Sequence, residues 1–273
     1  MIKKNKVFNA LAMVLVAILP VLNSGCKNED TPPLETSFNL KVQDVLGVTG
    51  TATFIETSAT VSTITLKLYG APSGTHPAAL YMNSVVEGGE IVQELNPVDA
   101  SGTSSTDVNL LTYNQLIAYD GFIKVIKSSN EPNIILVQGD IGGNVLTGDK
   151  TTFVLDTIGA FGVSGTALFE KRENGNTLVT LSLTGAIAEE MYPATINLSS
   201  VATIGGGPVT KTLNNVNGTT GKSFTNIRKL DEGLKITYDN WLVYNGYINI
   251  YQTAVDFNNI ISHGNIGSNV NSN

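Results

Sequence analysis

The side chains that most often carry out chemistry are scarce in this chain of 273 residues. It contains two histidines, His76 and His263, and a single cysteine, Cys26. Two histidines in unrelated sequence surroundings cannot supply the several imidazole ligands of a copper–zinc centre. No Gly-x-Ser-x-Gly nucleophile motif precedes an acid and a histidine. The sequence therefore predicts no catalytic residue, no metal site and no cofactor.

The sequence after residue 36 contains a tandem repeat of two similar copies. The heptapeptide Val-Thr-Gly-Thr-Ala-Thr-Phe at residues 48–54 returns as Val-Ser-Gly-Thr-Ala-Leu-Phe at residues 163–169. Solenoid repeats span only about 20–50 residues, so a unit of more than twice that length predicts two whole domains. We place them at residues 37–145 and 151–270, called copy one and copy two below. The sequence leaves open whether residues 145–150 are a flexible linker or a rigid junction.

The N-terminus predicts export. Three lysines precede an apolar stretch at residues 7–22, which is the layout of a signal peptide, here residues 1–25. The stretch ends in Leu-Asn-Ser-Gly-Cys and resembles a bacterial lipobox, with Asn23 where leucine is usual. We therefore expect lipidation of Cys26, because a lone cysteine in an exported chain needs an explanation. The alternative is an ordinary cleaved signal peptide.

Residues 26–36 predict a flexible tether, because polar and proline-rich sequence cannot bury enough surface to fold. The acidic patch at Glu29 and Asp30 resembles the export signal of surface-exposed lipoproteins in some Gram-negative bacteria. The expected location is the outer membrane, facing the cell surface, with a periplasm-facing anchor as the alternative. The N-terminal lipid would attach the chain to the membrane.

Charge and cysteine content exclude further classes. Without the three lysines of the signal, 13 basic residues stand against 23 acidic ones, a formal charge of −10. Such an acidic surface argues against nucleic acid as a partner and against docking on anionic lipid. A mature chain without a second cysteine cannot form a disulfide framework, so each copy must be held by its own core.

Alternating polar and apolar residues predict strands at 62–69 in copy one and 177–184 in copy two. Strands at this density favour an antiparallel sandwich or barrel. The predicted fold class is all-β: two tandem antiparallel β-sandwich domains, each with at most one short helix. Further strands are expected at 79–83, 91–95, 121–126 and 134–138, and at 194–198, 209–213, 246–251 and 259–263.

Turn signals refine this prediction. Thr112 is expected to cap the helix of copy one, with Gly121 in a left-handed position after it. Thr237 and Gly246 repeat the pattern, while Asn174 and the glycine after it predict a type I′ hairpin turn. The tyrosines at 113, 119, 238 and 244, and Trp241, are expected to fill the core rather than to bind a ligand.

Short motifs recur in the same order in both copies. They are Val-Ser/Thr-Gly-Thr-Ala, an alternating strand ending in Gly, His/Tyr-Pro-Ala, Leu-Asn-x-Val, Tyr-Asp/Asn-Gly-Phe/Tyr-Ile and Gly-Asp/Asn-Ile-Gly. Together they resemble CHRD domains, the module named after chordin and found in microbial exported proteins. The resemblance covers residues 38–144 and 153–269, and it implies a Greek-key sandwich similar to that of Cu/Zn superoxide dismutase.

The chain departs from that family at the strand where many microbial members have His-x-His. The matching positions are Ala79 and Tyr81 in copy one and Thr195 and Asn197 in copy two. His76 lies just before them, beside a proline, and is expected to be a surface or turn residue.

If the protein binds a ligand, the candidate contacts are His76, Tyr81, Tyr192 and Asp140. Tyr81 and Tyr192, with Tyr251, would be the stacking residues of a glycan site. Loop aspartates such as Asp99, Asp107 and Asp140 leave a weak calcium site open, although no calcium-loop motif is present.

Two functions remain. The first is a non-catalytic surface lipoprotein that acts as a binding, adhesive or structural module, with an envelope protein or an extracellular glycan as its partner. The second is a metal-dependent oxidoreductase related to superoxide dismutase. The missing paired histidines favour the first.

Overall fold

The structure is a computed structural model that describes residues 32–253 and 256–270. The predicted signal peptide, Cys26 and most of the tether lie outside the described residues. Residues from Pro33 onward form one compact unit. Its described part is all-β, with sixteen antiparallel strands and two short α-helices. No helix within it is long and apolar enough to cross a membrane.

Copy one contains eight strands in the antiparallel order β5-β4-β7-β8-β1-β2-β3-β6. A 3₁₀ turn at Gly142–Asn144 follows the last strand. The elements are β1 (Glu35–Val42), β2 (Thr49–Glu56), β3 (Ser62–Tyr69), β4 (His76–Met82), β5 (Ile91–Val98), β6 (Thr103–Val108), α1 (Tyr113–Ile117), β7 (Gly121–Ser128) and β8 (Glu131–Ile141).

Copy two repeats this arrangement and closes into a barrel, in the order β10-β11-β14-β13-β12-β15-β16-β9. Its first strand begins at Leu146, so the segment that the sequence left open as linker or junction is part of the sheet. The elements are β9 (Leu146–Thr157), β10 (Ser164–Arg172), β11 (Thr177–Thr184), β12 (Met191–Leu198), β13 (Val209–Asn217), β14 (Lys222–Ile227), α2 (Tyr238–Trp241), β15 (Asn245–Thr253) and β16 (Asp256–Gly267).

The copies are barrel-like, whereas the sequence predicted sandwiches of two separate sheets. In copy two, one half of the barrel consists of β9, β10, β11 and β14, and the other half consists of β12, β13, β15 and β16. The halves are joined at both edges, because β9 pairs with β16 and β13 pairs with β14. In copy one, β1 pairs with β8 on one side. On the other side β5 and β6 meet at their shared turn, where the Asp99 amide donates to the Thr103 carbonyl at 3.1 Å. The short turn holds the edges of the two halves together.

The strongest strand predictions are confirmed, since β3 and β11 have the predicted bounds. The other predicted strands exist but extend several residues further, as β8 and β16 illustrate. No strand range was predicted for β1, β2, β6, β9, β10 or β14. In β6, with the sequence Thr-Ser-Ser-Thr-Asp-Val, polar residues hide the pattern, although Thr106 and Val108 are buried.

Both helices are confirmed, with Thr112 and Thr237 as N-caps of capping boxes. The left-handed glycines predicted after them are wrong: Gly121 has no positive φ and begins β7. It is glycine because a Cβ there would lie 2.6 Å from the Tyr81 carbonyl oxygen. The type I′ turn is also wrong, because only Gly175 has a positive φ and its amide donates to the Arg172 carbonyl.

Each copy has its own apolar core, as the lack of disulfides requires. The cores use matching positions: Phe54 and Phe169 are equivalent and fully buried, as are Leu116 and Trp241. Tyr113 and Tyr238 are buried too, and their hydroxyls contact Thr36 and Thr151 at 2.7 and 2.9 Å. The packing role predicted for these aromatic residues is confirmed. The two copies therefore share both their core packing and the hydrogen bonds between these side chains.

Candidate functional site

Two of the predicted contact residues, Tyr81 and Asp140, lie in one row across the sheet of copy one. Tyr81 pairs with Phe122 of β7, and Phe122 pairs with Asp140 of β8. The Tyr81 ring stacks on Phe122 with centroids 4.8 Å apart, and the Lys124 ammonium lies 4.3 Å from its centroid. Its aromatic surface is therefore already in contact with neighbours.

Asp140 connects the two copies. Its Oδ1 accepts a hydrogen bond from the Val85 amide at 2.7 Å, and its Oδ2 accepts one from Arg172 Nη1 at 2.7 Å. Arg172 ends β10 of copy two and is fully buried. Its Nη1 also donates to the carbonyl of Asn144 in copy one. An ion pair between a fully buried arginine and a partly exposed aspartate thus lies at the junction of the two copies.

The hairpin turn that follows Arg172 adds further contacts. The backbone amides of Glu173 and Asn174 donate to the carbonyls of Val145 and Gly143, both at 2.9 Å. Asn174 Nδ2 donates to Asp120 at 2.8 Å. The junction is therefore tied by main-chain as well as side-chain hydrogen bonds.

A second group of contacts lies beside the ion pair. Asn226 of β14 donates to Glu87 at 3.0 Å, and Arg228 lies 3.8 Å from the same carboxylate. Glu87 belongs to the loop after β4, as does Val85. This loop is thus held by side chains of both copies.

A cavity of about 410 Å³ opens at this junction. Its apolar lining comes from both copies and includes Phe38 and Val86 of copy one and Leu178 and Phe224 of copy two. Lys41, Asp140 and Arg172 supply charge. Strand β1 pairs with β8 only at Lys41 and Val42. The preceding part of β1, which pairs with β2 but not with β8, forms one wall of the cavity.

Arg172 has unused hydrogen-bonding capacity. Among the described residues, its Nε and Nη2 have no hydrogen-bond partner, and both atoms are buried. These two nitrogens form the edge of a guanidinium that pairs with a carboxylate through two parallel hydrogen bonds. Asp140 occupies only Nη1.

Copy two explains what is special about Asp140. The equivalent Asn265 accepts from the Val201 amide at 3.0 Å, so both residues fasten the loop that follows β4 or β12. Asparagine has an amide nitrogen in place of the second carboxylate oxygen, and that nitrogen cannot accept a bond from an arginine. The loop contact is repeated, and the ion pair is added in copy one alone.

The other two predicted contact residues lie elsewhere. Tyr192 is buried in copy two, where its hydroxyl accepts from the Ile187 amide at 2.8 Å. His76 is buried at the start of β4, so its expected surface position is wrong. Its Nδ1 and Nε2 lie 2.7 and 2.9 Å from the carbonyls of Lys127 and Pro72.

The positions that match the family's histidine pair lie on the outer face of each barrel. In copy two, Thr195 and Asn197 are buried, and Asn197 Nδ2 donates to the Gly207 carbonyl in the following loop at 3.3 Å. Thr195 Oγ1 donates to Asn197 at 2.6 Å and contacts the Tyr251 hydroxyl at 3.0 Å. In copy one, Ala79 and Tyr81 occupy the equivalent places. These positions serve as packing and hydrogen-bonding groups.

Acidic and histidine side chains are dispersed. Within the described ranges, no group of three or more His, Cys, Asp or Glu residues could hold a metal ion. Asp99 accepts two hydrogen bonds from Ser101, which lower the pKa of its carboxyl. Burial lowers the pKa of His263, and nearby Asp156 opposes this shift.

Arg172, which lies at the centre of the junction, was not among the predicted site residues. A signal was present in the repeat: Arg172 aligns with Thr57, just as Asp140 aligns with Asn265. Each copy thus has one charge that the other copy lacks, and the two charges are of opposite sign. This pattern indicates an ion pair between the copies. Comparison with known families, curated proteins and solved structures finds no match to this chain.

Proposed function

We propose that this protein is a non-catalytic lipoprotein of the cell envelope whose two copies act as one binding, adhesive or structural module. The observation that carries the proposal is the Asp140–Arg172 pair at 2.7 Å. Aspartate and arginine side chains, which in other proteins often act in catalysis, here join the two copies. The buried His76 and the network around Thr195 likewise serve internal contacts.

The relationship to CHRD domains and to a Greek-key fold is part of the same proposal. In each copy some neighbouring strands are distant in sequence: β3 pairs with β6, and β1 pairs with β8. Copy two repeats these pairings with β11 and β14 and with β9 and β16. Such long connections between adjacent antiparallel strands are a feature of Greek keys.

We favour an envelope protein over a glycan as the partner. A glycan site needs exposed aromatic faces, and two of the three tyrosines considered for that role, Tyr192 and Tyr251, are buried. The third, Tyr81, is stacked against Phe122. Strand β1 begins at Glu35, so the predicted tether is shorter than residues 26–36. A lipid on Cys26 and this shorter tether would hold the module at the outer membrane, with the cell surface as the preferred side.

Metabolic labelling with a radioactive fatty acid tests the anchor. The unaltered chain should incorporate label and sediment with membranes, and Cys26→Ser should lose both properties. Asn23→Leu, which restores the usual lipobox residue, is the matched control and should label at least as well. Label retained in Cys26→Ser would contradict the proposal.

Protease treatment of intact cells tests the orientation. Cleavage of the tether in intact cells is expected for a surface-facing module. Full protection, with cleavage only after the outer membrane is opened, would place the module in the periplasm and overturn the surface assignment.

A further inference from the structure

We propose that the cavity between the two copies binds a carboxylate with an apolar tail, held by the Nε and Nη2 edge of Arg172. The inference goes beyond the envelope role proposed above and does not depend on the lipid anchor. The anchor experiment and the binding experiment below can therefore fail independently.

The unpaired donors of Arg172 are the first argument. Burying an N–H group without an acceptor destabilises a protein, and the effect is larger for a charged group. Arg172 is fully buried, yet two of its nitrogens have no partner among the described residues. A carboxylate matches both nitrogens with two parallel bonds, which a water molecule cannot do.

The local charge is the second argument. The negative charge of Asp140 is already paired with Arg172 Nη1, and its other oxygen accepts a hydrogen bond from the Val85 amide. Lys41 also lines the cavity, which therefore has one more positive than negative charge. Lys41 is exposed, so this extra positive charge lies at the open side of the cavity. In a chain with a formal charge of −7, a local excess of positive charge favours an anion.

The apolar lining sets the rest of the ligand. Phe38, Val85 and Val86 come from copy one, and Leu178 and Phe224 come from copy two. A volume of about 410 Å³ suits a small organic molecule rather than a bare ion. Phe224 is 43% exposed and lies at the rim, where its movement would admit a ligand.

Comparison of the copies supports a specific role. Arg172 aligns with Thr57, so copy one has no guanidinium at the equivalent strand end. The repeated fold therefore does not need a buried arginine here. The cavity exists only where the two copies meet.

Isothermal titration of the full chain in aqueous buffer tests the proposal with octanoate as the probe. Titration of octanoate into buffer alone gives the blank. Acetate and 1-octanol supply the carboxylate and the tail separately. We expect octanoate to bind about tenfold or more tightly than either, because hydrogen bonds to a charged group and the burial of the tail both contribute.

Variants identify the site. Arg172→Gln should weaken octanoate binding about tenfold or more. Phe224→Glu, at an exposed position compatible with folding, should weaken it as well by repelling the carboxylate. Lys211→Gln removes a positive charge of copy two that pairs with Asp231 and does not line the cavity, and it should bind octanoate like the unaltered chain.

Near-UV circular dichroism establishes that each variant is folded; if Arg172→Gln is not, Phe224→Glu decides. The proposal is overturned if octanoate gives no heat above the blank. It is also overturned if 1-octanol binds as tightly, or if the folded Arg172→Gln or Phe224→Glu chain binds octanoate unchanged.

Discussion

The two copies share one scaffold and differ where they touch each other. Asp140 and Asn265 both fasten a loop through a backbone amide, at 2.7 and 3.0 Å. Asp140 alone uses its second oxygen to bind Arg172. The comparison separates what the fold requires, the loop contact, from what this protein adds, the ion pair between copies.

The closure of the barrels, in contrast, is shared by both copies. Asn96 and Asn214 are equivalent, and their backbone amides donate to the hydroxyls of Thr106 and Thr225 at 2.8 and 2.9 Å. Main-chain contacts at the neighbouring turn are also present in both: the Asp99 amide donates to the Thr103 carbonyl in copy one, and β13 pairs with β14 at Asn217 in copy two.

The largest expected effect comes from the core positions that differ in size. Trp241 and Leu116 are equivalent and fully buried, and Trp241 packs against Phe169 and Tyr244. We expect Trp241→Ala to lower the free energy of unfolding by about 4 kcal/mol and Leu116→Ala by about 3 kcal/mol. Urea denaturation measures both, and a loss below about 1 kcal/mol in either would show that the cores are not equivalent.

A smaller, equal effect is expected at two repeated asparagines. Asn144 Nδ2 donates to the Asn83 carbonyl at 2.8 Å, and Asn269 Nδ2 donates to the Ser199 carbonyl at 2.6 Å. Asn83 and Ser199 both have a positive φ, so each bond holds a strained residue. Alanine at either asparagine should cost about 1–2 kcal/mol in urea denaturation. A loss confined to one copy would mean that this contact is not part of the shared scaffold.

The smallest effect is a pH dependence confined to copy two. Burial lowers the pKa of His263 in the folded state, with Asp156 opposing the shift. The unfolded chain therefore takes up a proton first as the pH falls, and stability present above pH about 6.5 decreases below it.

His263→Gln, which introduces the copy-one residue Gln138, should remove that component. The measurement is the difference in unfolding free energy between this variant and the unaltered chain at pH 7.5 and pH 5.5. A difference that does not change with pH would contradict the assignment.

The features that the sequence predicted correctly are those that depend on a local pattern of residues. Alternation fixed the bounds of β3 and β11, and the Thr112 and Thr237 capping boxes began the helices as expected. It did not predict β6, whose polar residues give no alternation. Whether the sheets form sandwiches or barrels depends on edge strands that meet through tertiary contacts.

The candidate site was harder to predict. Asp140 was proposed as a contact residue, but its partner Arg172 lies 32 positions away in the other copy. Hydrophobic periodicity carries no information about such a pair. His76 was expected at the surface because of its neighbouring proline, and only the fold shows two carbonyls within 2.9 Å of its ring. Aligning the copies and searching for unmatched charges of opposite sign would have found the pair.

A double-mutant cycle between Asp140→Asn and Arg172→Gln tests the central claim, that this pair joins the copies. Asp140→Asn keeps the loop contact, as in copy two, and leaves the buried guanidinium without its carboxylate. We expect each single change to cost about 3 kcal/mol in urea denaturation and the pair to show a coupling of about 2 kcal/mol. The exposed pair Lys127–Glu131 is the control, with an expected coupling of about 0.5 kcal/mol or less. Additivity within about 0.5 kcal/mol at Asp140 and Arg172 would contradict the account.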